Sequence, residues 1–567
     1  MVSTDEPNAG EHGEREQPAA ESRRSAFSRP LRPLVKVLPI LVCVGCVLAI
    51  VVLRARADAT DFADVNVAAF ALTLIASGAL LVQLQFWKRV PRWARLLPLS
   101  VAVLAGLIAA CCFQIEGVDG RLVPSLRWRW SKTADQLPTT QPVARDAEGV
   151  DLATRTDLDF PQFLGPQRDL HVPRVRLDRD WQRRPPREIW RQPIGAGWSG
   201  FAVVNGFAVT MEQRGEQELV TCYEIRSGAM RWLHAVTARH GTLLGGEGPR
   251  GTPTIHEGMV YAQGATGIVR CLDGRTGMAA WSIDLLQQYG VTAESDRAAV
   301  AWGRAGSPLV VDDLLIIPYG GPANGRRYSL AAFDRSTGAL RWKSGDRQVS
   351  YSSPAVGTLC GQRHVVIVNE DSVSGHRPED GAVLWSTPWP GNSTAGASAS
   401  QAVIIPPDRI LVSKGYGIGA ALLQLVADDN GNIDVESVWT NPKVLKTKFT
   451  NVVVRDTSVF ALSDGIMECV DLSTGQQRWK NRREGNFGHG QILAAGDLIL
   501  VQAESGEVVL IEASTGDLKI LGRVQALQDR AWNNLCLYGP YLLVRNSVEA
   551  ACFELPLKGD RGGPGAL

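Results

Sequence analysis

Two apolar patterns divide the chain. Near the N-terminus run three long, nearly uninterrupted apolar stretches, residues 34–53, 65–87 and 96–113. Each has about 18–23 residues, enough for a helix to cross a ~30 Å hydrocarbon core. Beyond about residue 187 the apolar runs are short and rich in Val, Ile, Leu and aromatics. Gly, Asn and Asp punctuate them, as in half-buried strands joined by tight turns.

Within the second region one phrase recurs: a strand, a Gly-containing turn, then tryptophan. Its copies are CYEIRSGAMRW (222–232), CLDGRTGMAAW (271–281), AFDRSTGALRW (332–342), HRPEDGAVLW (376–385) and CVDLSTGQQRW (469–479). VADDNGNIDVESVW (426–439) has a longer gap before its Trp, and IEASTGDLKIL (511–521) has lost the Trp. The turn glycines Gly228, Gly277, Gly338, Gly381, Gly431, Gly475 and Gly516 follow one another at 49, 61, 43, 50, 44 and 41 residues, roughly the ~40–50 of propeller blades. Upstream of each hairpin lies a further strand that opens on a small polar residue. Eight such openings face seven hairpins, and a lone REIWRQP (187–193) precedes the first. If that early strand pairs with the C-terminal segment, the array becomes an eight-bladed β-propeller of four-stranded antiparallel blades, closed by both ends of the domain with no open edge.

The A-x-D-x-x-T-G-x-x-x-W phrase resembles the pyrroloquinoline quinone (PQQ) repeat of bacterial eight-bladed propellers. The lead-in DFPQFLGPQRDL (159–170) is similar to the segment heading many PQQ-like repeat proteins. That family holds quinone-dependent dehydrogenases and also non-catalytic scaffolds such as the propeller lipoprotein of the outer-membrane barrel-assembly machine, BamB. The resemblance therefore implies the fold and leaves two functions open.

With 567 residues, 45% hydrophobic and a net charge of +1, the chain can hold one large core plus an appendage, and no charge excess suggests nucleic acid. Residues 1–33 are polar and Pro-rich and read as a disordered cytoplasmic tail. Residues 34–114 read as a three-helix membrane anchor, 115–158 as a linker, 159–556 as the propeller and 557–567 as a flexible tail. Arg23, Arg24, Arg29 and Arg32 precede the first span, and Lys88, Arg89, Arg92 and Arg95 lie between the second and third. The loop between the first and second spans balances Arg54 and Arg56 with Asp58, Asp61 and Asp64. Excess Lys and Arg stays cytoplasmic, which predicts a propeller on the extracytoplasmic, periplasmic side. An alternative takes Leu107-Ile-Ala-Ala-Cys111 as a lipoprotein-type signal, against which stand the two preceding spans.

Of ten cysteines, Cys222, Cys271, Cys469 and Cys552 occupy one equivalent strand position. Equivalent positions in separate blades are too far apart to pair, so they read as small core residues. The adjacent Cys111-Cys112 resembles the vicinal disulfide beside PQQ in some dehydrogenases, but it falls in the third span. Trp232, Trp281, Trp342, Trp385, Trp439 and Trp479 follow each turn at a fixed place, as expected of structural residues docked between blades. GAGWSG (195–200) meets a dinucleotide fingerprint without its strand-to-helix context, and DDNGNID (428–434) resembles a calcium loop without the closing Glu.

The candidate binding residues are those just before the inner strands, which rim one mouth of the central channel: Trp198, Arg250, Arg304, Tyr351, Phe449, His489 and Trp532. Aromatics mixed with cations suit an anionic or planar ligand or a partner peptide. No catalytic residues, metal ligands or cofactor are expected. The function that follows is a membrane-anchored propeller scaffolding another envelope protein, with outer-membrane protein assembly as the setting that the resemblance implies. The alternative is a membrane-bound quinoprotein alcohol or sugar dehydrogenase using PQQ with Ca²⁺.

Overall fold

A computed structural model describes residues 31–56, 62–87, 90–131, 149–394 and 396–559. Most of the expected N-terminal tail, residues 132–148 of the range read as a linker, residues 560–567 and the flanking charges Asp58, Asp61, Lys88 and Arg89 lie outside the described residues. The chain divides into two compact units.

The first unit is helical. Helices Leu31–Ala55, Phe62–Gln85 and Arg92–Cys112 each hold a stretch long and apolar enough to cross a membrane. Their side chains are largely uncovered by protein, as Leu41, Phe70 and Leu104 illustrate, and hydrocarbon is the medium in which such surfaces rest.

The second unit is the eight-bladed propeller. Blades 1 to 7 run through residues 202–237, 254–284, 309–344, 355–388, 403–441, 453–480 and 491–525, each a four-stranded antiparallel sheet in sequence order. Blade 8 is composite: strands Cys536–Tyr538, Tyr541–Arg545 and Glu549–Glu554 are joined at the outside by Arg187–Pro193. The register sets Trp190 against Cys552 and Arg187 against Glu554. The early REIWRQP strand thus closes the ring.

Successive blades are fastened at two radii. Towards the outside, the indole of each repeat tryptophan donates to a backbone carbonyl in the turn of the next blade. Trp190 reaches Ile225 O, Trp232 reaches Gly274 O at 2.9 Å, Trp281 Arg335 O at 3.1 Å, Trp342 Pro378 O at 3.0 Å, Trp439 Leu472 O at 2.9 Å and Trp479 Ser514 O at 3.0 Å. The ring lies on the turn glycine: a Cβ added to Gly277 would sit 2.6 Å from Trp232, and one on Gly475 2.5 Å from Trp439. Within its own blade each of these tryptophans faces a residue on the third strand, Cys222 opposite Trp232, Cys271 opposite Trp281 and Cys469 opposite Trp479. The cysteines are free and buried, small apolar surfaces beneath an indole. Trp385 departs from the scheme. Its indole donates to His364 Nδ1 at 3.0 Å inside blade 4, and the next turn glycine, Gly431, has open space around it.

Near the axis the small polar residues that open the inner strands form a second belt. Gly200 N donates to Thr252 Oγ1 (3.1 Å), Thr252 N to Ser307 Oγ (2.9 Å) and Ser307 N to Ser353 Oγ (2.9 Å), stepping through blades 1 to 4. Gln401 N to Asn451 Oδ1 (2.8 Å) continues the pattern between blades 5 and 6. Each bond satisfies a buried amide that the four-stranded ladder leaves open.

Two glycines with the same backbone separate the docking energy from the turn energy. Gly277 (φ +72°) and Gly431 (φ +82°) both need a left-handed residue, which costs about 1–2 kcal/mol in any L-residue. Gly277→Ala should lose roughly a further 1–3 kcal/mol by driving its methyl into Trp232, whereas Gly431→Ala should not. Denaturant unfolding of the full chain in detergent measures the difference.

Candidate functional site

The rim is built around a segment that no blade contains. Directly after the third helix the chain forms a β-hairpin, Phe113–Val118 paired with Pro124–Trp128. Phe113 and Gln114 fall at the end of the range read as membrane anchor, and the rest of the hairpin, like the buried Val150 and Leu152, in the range read as a linker. Asp119 shapes the tip: its carboxylate accepts from Arg121 N (2.9 Å) and Val123 N (2.8 Å), and Leu122 takes a left-handed φ of 58°. Such acidic turn residues replace backbone partners with their own oxygens.

The tip enters the channel mouth. Gly120 N donates to Glu504 Oε1 at 2.7 Å, and Gly120 O accepts from Lys448 Nζ at 3.1 Å. Arg121 Nη2 donates to Asn486 Oδ1 at 2.6 Å, and the Arg530 guanidinium donates to Val118 O. Gly120 is a steric requirement, because a Cβ there would lie 2.1 Å from the His489 ring.

Four of the seven expected rim residues meet at this point. Trp198 and Trp532 have ring centroids 4.8 Å apart, Phe449 lies 4.7 Å from Trp532 and 5.5 Å from His489, and Arg530 caps both tryptophans at 5.5 and 4.6 Å. Glu504 is their polar hub, accepting from Trp532 Nε1 (2.7 Å), His489 N (3.0 Å) and the hairpin. Of the other three, Arg250 joins Trp198 at the Gly245 carbonyl, to which both donate. Tyr351 stacks on Trp302 at 5.3 Å and donates to Ser393 O at 2.6 Å. Arg250 ties the loop carbonyls of Gly245, Gly246 and Gly248. Arg304 is buried, donating to Asp296 at 2.6 Å and to Tyr319 O at 2.6 Å. Glu504, Lys448 and Arg530 were missed by sequence reasoning. Lys448 is adjacent to Phe449 and Arg530 lies two residues before Trp532, so widening the window by two positions would have found both.

The lead-in segment closes the channel from the other side. Phe160 bridges to Val203 of blade 1, Pro161 O accepts from Ile255 N of blade 2, and Val172 N donates to Ala494 O of blade 7. Between these anchors Arg168 is driven inward, donating to Pro308 O (3.0 Å) and Ser307 O (3.2 Å), while its own carbonyl accepts from Gln401 Nε2 (2.8 Å). Burial pulls the guanidinium down to about 9, which leaves a cation at neutral pH.

Burial and the nearby Lys448 and Arg121 charges hold His489 well below the ordinary imidazole range. Neither of its ring nitrogens has a partner among the described residues. Between the hairpin and the mouth remains a cleft of about 840 Å³ bordered by Gln114, Arg127, Arg239, Glu504 and Arg530. PQQ with Ca²⁺ can be tested against these residues. A planar quinone needs an open face on the rim aromatics, but Arg530 caps Trp198 and Trp532 and Gly120 abuts His489. Glu504 has both oxygens engaged, and no cluster of metal-ligating side chains occurs among the described residues. At the hairpin side of the rim these contacts compete with a quinone for Trp198, Trp532 and His489 and with a calcium ion for Glu504.

Two variants probe the plugged mouth. Gly120→Leu should expel the tip and speed tryptic cleavage at Arg121 roughly tenfold, equivalent to about 1.4 kcal/mol in the local opening equilibrium, while the propeller's unfolding midpoint stays in place. His489 has its folded pKa below the unfolded value, so its contribution is whole above about pH 6.5 and is lost as pH falls, by up to about 1.4 kcal/mol per unit. His489→Phe should flatten the pH 7 to 5 stability slope by about that amount, read from urea midpoints.

Comparison with known proteins places the chain. The family model described as "Outer membrane protein assembly factor BamB" matches residues 181–348 and 323–519, together more than half of the chain. No match was found among curated proteins. Among solved structures, the quinohemoprotein alcohol dehydrogenase of Comamonas testosteroni aligns with a TM-score of 0.51 at 13% identity, over 75% of this chain and 85% of that one. A europium-containing methanol dehydrogenase aligns with 0.50 at 11% identity, over 70% and 91%. BamB from Moraxella catarrhalis aligns over 65% of this chain and 100% of its own, with 0.46 at 14% identity. At these identities the structural likeness speaks for the fold alone, and the family match carries the assignment: the chain belongs to the BamB-like family of PQQ-like repeat proteins.

Proposed function

We propose that this protein is a membrane-anchored, extracytoplasmic propeller that acts as a non-catalytic scaffold for another envelope protein. One observation carries the reading: the chain's own segments are bonded onto the inner-strand ends of the propeller, the Gly120 tip to Glu504 and Lys448 and Arg168 to the carbonyls of Ser307 and Pro308. With these axial groups already engaged by the chain itself, the loops and blade edges remain as the working surface, and such surfaces suit protein contacts. Fold alone does not decide function, so the support comes from these contacts. The family's name supports cell-envelope assembly as the setting. Arg92 and Arg95, with the basic residues before the first span, support a cytoplasmic tail and second loop and hence a periplasmic propeller.

The competing dehydrogenase reading is tested directly. Calorimetric titration of the full chain in detergent with PQQ and Ca²⁺, beside dye-linked oxidation of alcohols and sugars, should give no saturable binding and no turnover. Stoichiometric binding with turnover would sink the scaffold.

A further inference from the structure

The plugging hairpin has two unlike faces. Its register places Phe113 opposite Trp128 and Ile115 opposite Leu126, so these four side chains share one side. Gln114 faces Arg127 on the other side, and these two, with Ile115 at the edge, border the cleft. Trp130, in the turn after the strand, lies beside Trp128. Phe113 meets Trp128 edge-on at 5.2 Å and Trp128 lies 5.1 Å from Trp130. This apolar side is bare, with Leu126 63% and Trp130 67% exposed. A neighbouring loop adds Leu243 and Leu244, also exposed. The Leu243 carbonyl lies 3.4 Å from a Cβ built on Gly117 of the hairpin.

Chain continuity identifies what covers it. Phe113 is bonded directly to Cys112, the last residue of a candidate membrane span. The apolar part of that span, residues 96–112, is about 26 Å long at 1.5 Å per residue, close to the ~30 Å core, so Phe113 leaves the hydrocarbon at its edge. Two further residues of strand advance at most ~7 Å. Ile115 and Leu126 therefore fall within the headgroup layer, which adds about 5–7 Å on each side. Tryptophans at that depth place an apolar ring among acyl carbons and an indole N–H among headgroups.

We propose that the apolar face of the Phe113–Trp130 hairpin is seated in the interfacial layer of the bilayer, with Leu243 and Leu244 resting on the same lipid surface. The hairpin then joins bilayer and propeller, its polar side and tip gripping the rim while its apolar side holds lipid. This requires only that the helices span a membrane and is independent of whether the propeller is a scaffold or an enzyme.

The test uses the full chain in nanodiscs of phosphatidylcholine and phosphatidylglycerol, with p-benzoylphenylalanine replacing Leu126, Leu243, Leu104 or Leu340 in turn. Leu104 lies in the third span and Leu340 on the outer strand of blade 3. After irradiation, intact-mass spectrometry should find lipid adducts at positions 104, 126 and 243 and none at 340. Lipid at 104 but not at 126 and 243 overturns the seating alone, leaving the anchor. Cross-linking of 126 to a second copy of the chain overturns it in favour of self-association. Absence of lipid at both 104 and 126 overturns the anchor and the seating together, without touching the scaffold reading of the channel.

Discussion

The ring stands on an indole laid across a glycine. Each blade of a propeller is a sheet with two faces to cover, and here the outer tryptophan of one blade covers the turn of the next while its N–H satisfies a turn carbonyl. The contact demands a left-handed residue with no side chain at one partner and a small third-strand residue beneath the other. That double demand is the repeat phrase itself. It also explains the copy that lost its tryptophan. The outer strand of blade 7 faces blade 8, whose two outer strands, Glu549–Glu554 and Arg187–Pro193, come from opposite ends of the domain and have no connecting turn. With no turn to receive an indole, the outer strand of blade 7 carries Gly522 instead, and Trp181 from outside the blades lies over it. Blade 8, which has no turn, still supplies Trp190 to the turn of blade 1.

Closing the ring also fixes the axis. The belt of Thr252, Ser307 and Ser353 hydroxyls binds neighbouring inner strands where ladders cannot. Buried polar groups of this kind are stable only when each has a partner. The two stoppers supply more of the same: Arg168 provides donors for carbonyls of blade 3, and the Gly120 peptide gives Glu504 and Lys448 a partner. Trp198, Phe449, His489 and Trp532 thus pack against one another beneath the hairpin tip, beside the cleft that remains at this mouth.

The blades and the three apolar spans could be read from the sequence because each rests on local periodicity, and the composite eighth blade followed from counting them, eight openings against seven hairpins. Turn glycines, alternating strands and long apolar runs report the neighbourhood of the residues that compose them. The rim was half legible. Inner-strand spacing located Trp198, Phe449, His489 and Trp532, but spacing says nothing of which loops lean inward: Arg250 meets this group only through the Gly245 carbonyl it shares with Trp198, and Arg304 and Tyr351 are held by other partners. The hairpin was hidden by its position. FQIEGV and PSLRW alternate with period two, yet they follow a span without a break and read as the start of a linker. Arg168 and Glu504 act across more than 130 residues of chain, beyond any local pattern.

Blade 8 has a consequence for the order in which this protein comes into being. Strand Arg187–Pro193 is among the first of the propeller to leave the ribosome, and its partner Glu549–Glu554 is the last. Their contacts span 367 residues, so the earliest strand must wait for almost the whole domain to be made. Until then it presents an unpaired edge, the feature most prone to join another chain. Long-range pairing of this kind is slow because loop closure comes before its reward. A chain cut short anywhere before Glu549 would keep that edge permanently, which makes completion of synthesis itself the checkpoint of the fold.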